Sequence, residues 1–183
     1  MKIGVIGLGA VGYTVKSGFE ELGHDVYSFD IKDGSTLNDV LDTQVCYICV
    51  PTPQSENGAC DISIVNKVVG DLNSHLYEGV IAIKSTVKPG TIKILQETYP
   101  ARKICFVPEF LRERCAFTDF TENHDVCIIG TDDSKTFNLI KETHGHFPRK
   151  FIQTTTTEAE ICKYFNNIYN ASLIVFANSF YEI

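Results

Sequence analysis

The turn Gly7-Leu8-Gly9-Ala10-Val11-Gly12 constrains this chain more than any other feature. It lies between a short apolar run at 2–6 and a segment in which Val11, Val15, Phe19 and Leu22 share one helical face. Gly23 follows where a helix end calls for a left-handed residue. A second apolar run at 25–29 ends at Asp30, eighteen residues past Gly12. Glycine-rich turns occur in many α/β proteins, but here strand, turn, helix, strand and acid coincide as a dinucleotide-binding βαβ unit. Gly7 allows the tight turn, Gly9 lets a pyrophosphate approach the backbone, and Gly12 permits close contact of helix and strand. The helix start at Ala10 and Val11 offers free amides to phosphate oxygens. Asp30 can accept both hydroxyls of an adenosine ribose, and its charge repels a 2′-phosphate, which favours NAD over NADP. Lys32, a further cofactor-contact candidate, weakens that exclusion.

Further short apolar runs at 45–50, 80–84, 103–107 and 126–130 alternate with helical stretches at 61–75, 90–98 and 132–144. Asp61 and Asp132-Asp133-Ser134 stand where the first and last of these need caps. This alternation predicts an α/β fold with a doubly wound parallel sheet. At 183 residues the chain holds one domain and an extension. We expect the domain over 1–154 and the start of a long helix over 155–183. Thr157 and Glu160 have capping-box spacing for that helix. Ile161, Tyr164, Phe165, Ile168, Leu173, Ile174, Val175 and Phe176 make it apolar around much of its circumference. Such a helix needs partners on more than one side, and association into a homo-oligomer through it is the expectation.

Sixteen Lys and Arg against 23 Asp and Glu leave a formal charge of −7 with no basic cluster. That argues against nucleic acid and membrane surfaces as partners. The apolar run at the N-terminus is too short for a signal peptide, and no segment has the apolar length of a membrane span. Seven cysteines, mostly inside apolar runs, read as reduced, buried structural thiols of a cytoplasmic protein. No metal site is expected.

In an open sheet, ligands bind where strands end. Four segments place polar residues there or on the last helix: Pro51-Thr52-Pro53, the stretch 84–91, the stretch 107–113, and 160–167. Glu109 and Glu113, four apart, share a face if their segment is helical, although a solvated surface pair has the same spacing. Lys163 and Asn167 share a helical face as well, and a surface lysine pairing with Glu160 is the bland alternative.

The chain resembles the UDP-glucose/GDP-mannose dehydrogenase family at these segments. The resemblance rests on the glycine turn with Asp30, Val50-Pro51-Thr52-Pro53, Lys84-Ser85-Thr86-Val87-Lys88-Pro89-Gly90-Thr91, Pro108-Glu109-Phe110-Leu111-Arg112-Glu113, and Ala159-Glu160 with Lys163 and Asn167. They occur in the family order over essentially the whole chain. The resemblance implies a Rossmann NAD-binding domain in an enzyme that oxidises the C6 alcohol of a nucleotide sugar, UDP-glucose or a relative, to the uronate. Two NAD are used, and a cysteine carries the thiohemiacetal and thioester. Pro51 and Thr52 are implied to touch the cofactor. Thr86 is implied to contact the nicotinamide and hold a water, and Glu109 to act as general base in hydrolysis. The resemblance further places Glu113 near cofactor and substrate, Phe110 and Leu111 against the sugar nucleotide, and Lys163 and Asn167 at the developing oxyanion.

Three positions depart from the family pattern. Arg114 replaces a glycine, His124-Asp125-Val126 replaces a segment bearing an arginine, and Ser179 replaces a glutamate. The family's cysteine motif and its C-terminal nucleotide-sugar domain are expected beyond Ile183. Cys162 is no substitute, because neighbours on a helix point about 100° apart and it cannot face one substrate carbon together with Lys163. Two other readings remain open: a non-catalytic NAD-binding module, and a β-hydroxyacid-type dehydrogenase with lysine and asparagine at like spacing. The stretch 108–113 speaks against the latter.

Overall fold

The computed structural model describes residues 1–181. Seven strands form one sheet: β1 (Lys2–Ile6), β2 (Asp25–Phe29), β3 (Val45–Ile48), β4 (Val80–Ile83), β5 (Lys103–Phe106), β6 (Val126–Gly130) and β7 (Lys150–Thr154). Their spatial order is β2-β1-β3-β4-β5-β6-β7. The first five run parallel, as does the pair β6 and β7, but β6 meets β5 antiparallel at one residue pair, Phe106 with Gly130. The expected α/β fold with a doubly wound sheet is present, and the sheet is parallel except where β6 meets β5. The connection from β5 holds a short 3₁₀ turn and a six-residue helix, α4 (Ala116–Thr121). At about 9 Å, α4 does not carry the chain back to the far end of the sheet, so β6 starts from the end where β5 stopped.

Side chains alternate across the strands, which buries both faces. Ile6, Cys46, Ile48, Ile81, Ile83, Ile104 and Phe106 point to one side, where they meet α2 (Ser63–Ser74) through Val65, Val69 and Leu72 and α3 (Thr91–Thr98) through Ile92 and Leu95. Ile3, Val5, Tyr47, Ala82, Cys105 and Val107 point to the other, against α1 (Ala10–Glu21), α4 and α5 (Ser134–His144) through Val15, Phe19, Phe120 and Ile140. Cys46 and Cys49, three apart, fall on opposite sides. Only Cys46, Cys105 and Cys127 are fully buried, so the expectation of seven buried thiols is corrected; the other four are partly exposed, and all seven are free thiols.

Local signals acted as physical chemistry directs. Gly23 adopts φ +79°, and the amides of Gly23 and His24 close the end of α1 on Glu20 and Phe19. Asp133 caps α5 by accepting from the amides of Lys135 and Thr136, and Asp61 accepts from the Ser63 amide at the start of α2. Helix α4 and strand β7 lay outside the sequence expectations, and the cap of the last helix differs from the expected one. The edge strand β7 is half-buried and, among the described residues, pairs with β6 alone. The capping box of α6 (Thr156–Tyr181) is formed by Thr155 and Glu158, not by Thr157 and Glu160. Glu160 turns inward instead, because a buried acceptor was needed elsewhere.

The chain passes from β1 to β2 on one side and to β3 on the other, which makes the gap between β1 and β3 the switch point where an open sheet receives ligands. No helix among the described residues is long and apolar enough to cross a membrane.

Candidate active site

The glycine turn lies at that switch point. Gly7 takes φ +87°, and a Cβ on Gly12 would stand 1.8 Å from the Gly7 carbonyl oxygen, so neither position admits a side chain. A Cβ on Gly9 would meet nothing within 4 Å. The backbone is thus bare where a phosphate would approach, and Gly9, the N-cap of α1, places no side chain over the helix amides. Asp30, at the end of β2, accepts from the Leu8 amide at 2.6 Å and from the Lys32 amide at 2.9 Å. Its carboxylate therefore ties the glycine turn to β2, while each oxygen keeps a lone pair for a ribose hydroxyl. The side chain of Lys32 is exposed. These residues fit an NAD molecule: amides and an open helix end for the pyrophosphate, an acid for the ribose.

A cleft of about 240 Å³ continues from the turn, lined by Gly9, Ala10, Val11, Pro51, Thr52 and Thr86 together with Glu109 and Lys84. Thr52 and Thr86 also line a second cleft of about 540 Å³ that holds Asn167, Tyr164 and Cys60. Lys84 and Glu109 also line a third, of about 450 Å³, with Phe110, Leu111, His124 and Asn170. Three adjoining clefts thus open where the central strands end.

Glu109, shared by the first and third of these clefts, is paired with Lys163 of the last helix. The Lys163 ammonium donates to the Glu109 carbonyl at 2.6 Å and to Oε1 at 2.8 Å, while Oε2 accepts from the Leu111 amide at 2.7 Å. The Phe110 ring centroid lies 5.7 Å from the same ammonium. Lys163 is buried, which removes the reading of a surface lysine paired with Glu160. Residues 107–112 form no helix, and Glu113 opens a short 3₁₀ turn, Glu113–Cys115. The conditional sharing of a helical face by Glu109 and Glu113 is therefore corrected: the carboxyls diverge. Glu113 is exposed and lines a separate cleft with Ala10 and Tyr13, beside the start of α1. The loop 107–112 is held by Arg112, whose amide and guanidinium donate to Asp119 over 2.7–3.0 Å. That guanidinium holds the Asp119 carboxyl down at about 2.

Sequence reasoning assigned no role to Lys84 or Asp119, and to Glu160 only a capping role that it does not play. Lys84 is buried at the end of β4, donates to the Val107 carbonyl at 3.2 Å, and burial lowers its pKa. A lysine ending an apolar strand was the available signal. Burial also pushes the Cys49 thiol up to about 12, which leaves it inert beside the clefts. No metal-binding cluster is present among the described residues.

The model of the UDP-glucose/GDP-mannose dehydrogenase family, NAD binding domain, matches residues 33–148, and the chain belongs to that family. It is 31% identical to the UDP-glucose 6-dehydrogenase TuaD of Bacillus subtilis, with all of this chain and 48% of that protein covered. It is 27% identical to the UDP-glucose 6-dehydrogenase AglM of Haloferax volcanii, covering all of this chain and 54% of that protein. Among solved structures, a ternary complex of GDP-mannose dehydrogenase from Pseudomonas aeruginosa superposes with a TM-score of 0.86 at 26% identity, over 97% of this chain and 52% of that one. The chain spans about half the length of these relatives.

Proposed function

We propose that this chain provides the NAD-binding half, and much of the reactive site, of a nucleotide-sugar 6-dehydrogenase that converts UDP-glucose to UDP-glucuronate. The observation that carries the reading is the buried Lys163–Glu109 pair, whose glutamate lines both the cleft beside the glycine turn and the one that holds Phe110 and Leu111. Gly9, the α1 amides and Asp30 hold the dinucleotide, and Pro51, Thr52 and Thr86 flank its reactive end. NAD, when bound, supplies the hydride acceptor. An ammonium has three donors, and Lys163 commits two of them to Glu109. The third N–H and the Asn167 carboxamide are available to an oxygen that gains negative charge at the sugar C6. Both groups are borne on one helix, so no reorganisation is needed as that charge appears. Phe110 and Leu111 wall the side on which the sugar nucleotide approaches, and Glu113 flanks the start of α1 near the cofactor.

The test is NADH absorbance on mixing the chain with NAD and UDP-glucose, beside a Lys163→Ala variant. NADH formed by the unaltered chain and lost in the variant supports the reading. NAD binding without NADH favours a module that binds the cofactor and does no chemistry by itself. Beyond Lys163, α6 exposes Phe165, Ile168, Leu173 and Phe176, and we assign that face to a second copy of this chain. Free thiols throughout accord with a reducing, cytoplasmic setting.

A further inference from the structure

Helix α3 begins at Gly90, which has φ +91° and no side chain to cap the first amides. Those amides need an acceptor from elsewhere. Glu160 supplies it across seventy residues: Oε2 accepts from the Gly90 amide at 2.6 Å and Oε1 from the Ile92 amide at 2.8 Å. Glu160 is fully buried and has no cationic partner among the described residues. Burial raises its pKa, and the amides with the positive end of α3 oppose that by favouring the anion.

What Glu160 joins gives it consequence. The loop leading to Gly90 carries Thr86, and at its other end Ser85 Oγ donates to the Val50 carbonyl at 2.7 Å. Thr86 is thus held between an anchor on the end of β3 and an anchor on α6. Glu160, Lys163 and Asn167 follow a spacing of three and four along one stripe of α6. They meet α3, the Glu109 loop and the Thr86 cleft respectively.

We infer that Glu160 is a positioning residue for the site: its carboxylate clamps the loop bearing Thr86 to the helix bearing Lys163 and Asn167, and so sets the nicotinamide-side and sugar-side groups against each other. The inference rests on the functional reading above, and two readouts separate their fates. Glu160→Gln keeps the shape but turns an NH₂ group toward a backbone N–H, so one amide of α3 loses its acceptor. Amide hydrogen exchange is expected to quicken about tenfold both at 85–92 and at 109–112, where Glu109 depends on Lys163. By calorimetry, NAD affinity falls about tenfold, while affinity for ADP-ribose, which lacks the nicotinamide, stays the same.

A merely local cap would loosen 90–98 alone, and a merely structural role would weaken both ligands by one factor; either result overturns the clamp. Leu72→Ala, a core truncation in α2, serves as the control, and the same two-segment pattern in it would also overturn the assignment. Glu160→Asp keeps the charge but cannot span both amides, and it takes the place of Glu160→Gln if that variant does not fold. Absence of NAD binding in the unaltered chain would reject the functional reading, and hydrogen exchange would then decide the clamp by itself.

Discussion

The Lys163 ammonium and the Glu109 carboxylate lie 2.8 Å apart, 54 residues apart in sequence, with side chains only 6% and 13% exposed. Removing one partner of such a pair leaves the other charge buried and uncompensated, which costs about 3–5 kcal/mol. Lys163→Met and Glu109→Gln should each lower stability, Lys163→Met by about 3 kcal/mol. The double variant should lose less than the sum. Urea unfolding of the four proteins measures the coupling, and strict additivity would reject a direct interaction.

Gly12 and Gly9 should part company under the same substitution. Gly12→Ala forces a methyl into the Gly7 carbonyl, and about 2 kcal/mol or more of stability should go with the turn. Gly9→Ala points into open space, so the melting temperature should hardly move while NAD binding weakens. Calorimetric melting and titration of both variants check this. A stable Gly12→Ala protein that still binds NAD would contradict the geometry.

Asp30→Ala should weaken NAD binding and narrow the preference over NADP, because the group that accepts the ribose hydroxyls and repels a phosphate is gone. The loss should be about tenfold, the scale of one charged hydrogen-bonding group. Titration with both dinucleotides reads it out. An unchanged preference would place the ribose elsewhere.

Acid should destabilise the fold through the buried His144 and the partly buried His124. Burial, with Lys84 adding to it, pushes the His124 pKa down to about 4, and that of His144 well below its ordinary value. The unfolded chain takes up these protons first, from about pH 6.5 downward. Stability is therefore full at neutral pH and falls between about pH 6.5 and 4, by about 2–3 kcal/mol for His124. His124→Gln should flatten the slope of urea midpoint against pH. A slope identical to that of the unaltered chain would remove His124 from the account.

The exposed face of α6 should associate. Phe165, Ile168 and Phe176 are each at least 60% exposed, and a contiguous apolar surface of this kind marks an interaction site. Light scattering at rising concentration should show a mass above the monomer, reduced by Phe176→Glu. A constant monomeric mass at high micromolar concentration would defeat the assignment.

The start of the fold was legible because its signals are local. The helical face of Val11, Val15 and Phe19, the glycines 7, 9 and 12, and the terminal Asp30 each act through backbone conformation or neighbours a few positions away. The glycine turn and the strands around it could be read for that reason. Strand β7 could not, since Lys150–Thr154 is half-buried at a sheet edge and shows no sustained apolar run.

Pairings between distant segments were beyond local reading. A threonine and a glutamate at capping spacing occur twice around 155–160, and spacing alone does not choose between them. The choice fell to Thr155 and Glu158 because the amides of α3 lacked an acceptor and the buried Glu160 was the side chain that reached them. Lys163 likewise has a surface partner in sequence, yet folding brings the Glu109 loop against α6 and removes water from both charges. By itself the sequence determined six of the seven strands, the glycine turn and which residue types carry chemistry, through backbone sterics and apolar periodicity. Tertiary structure alone decided which charges meet, because the energy of a buried carboxylate or ammonium depends on the partners that remote parts of the chain bring to it.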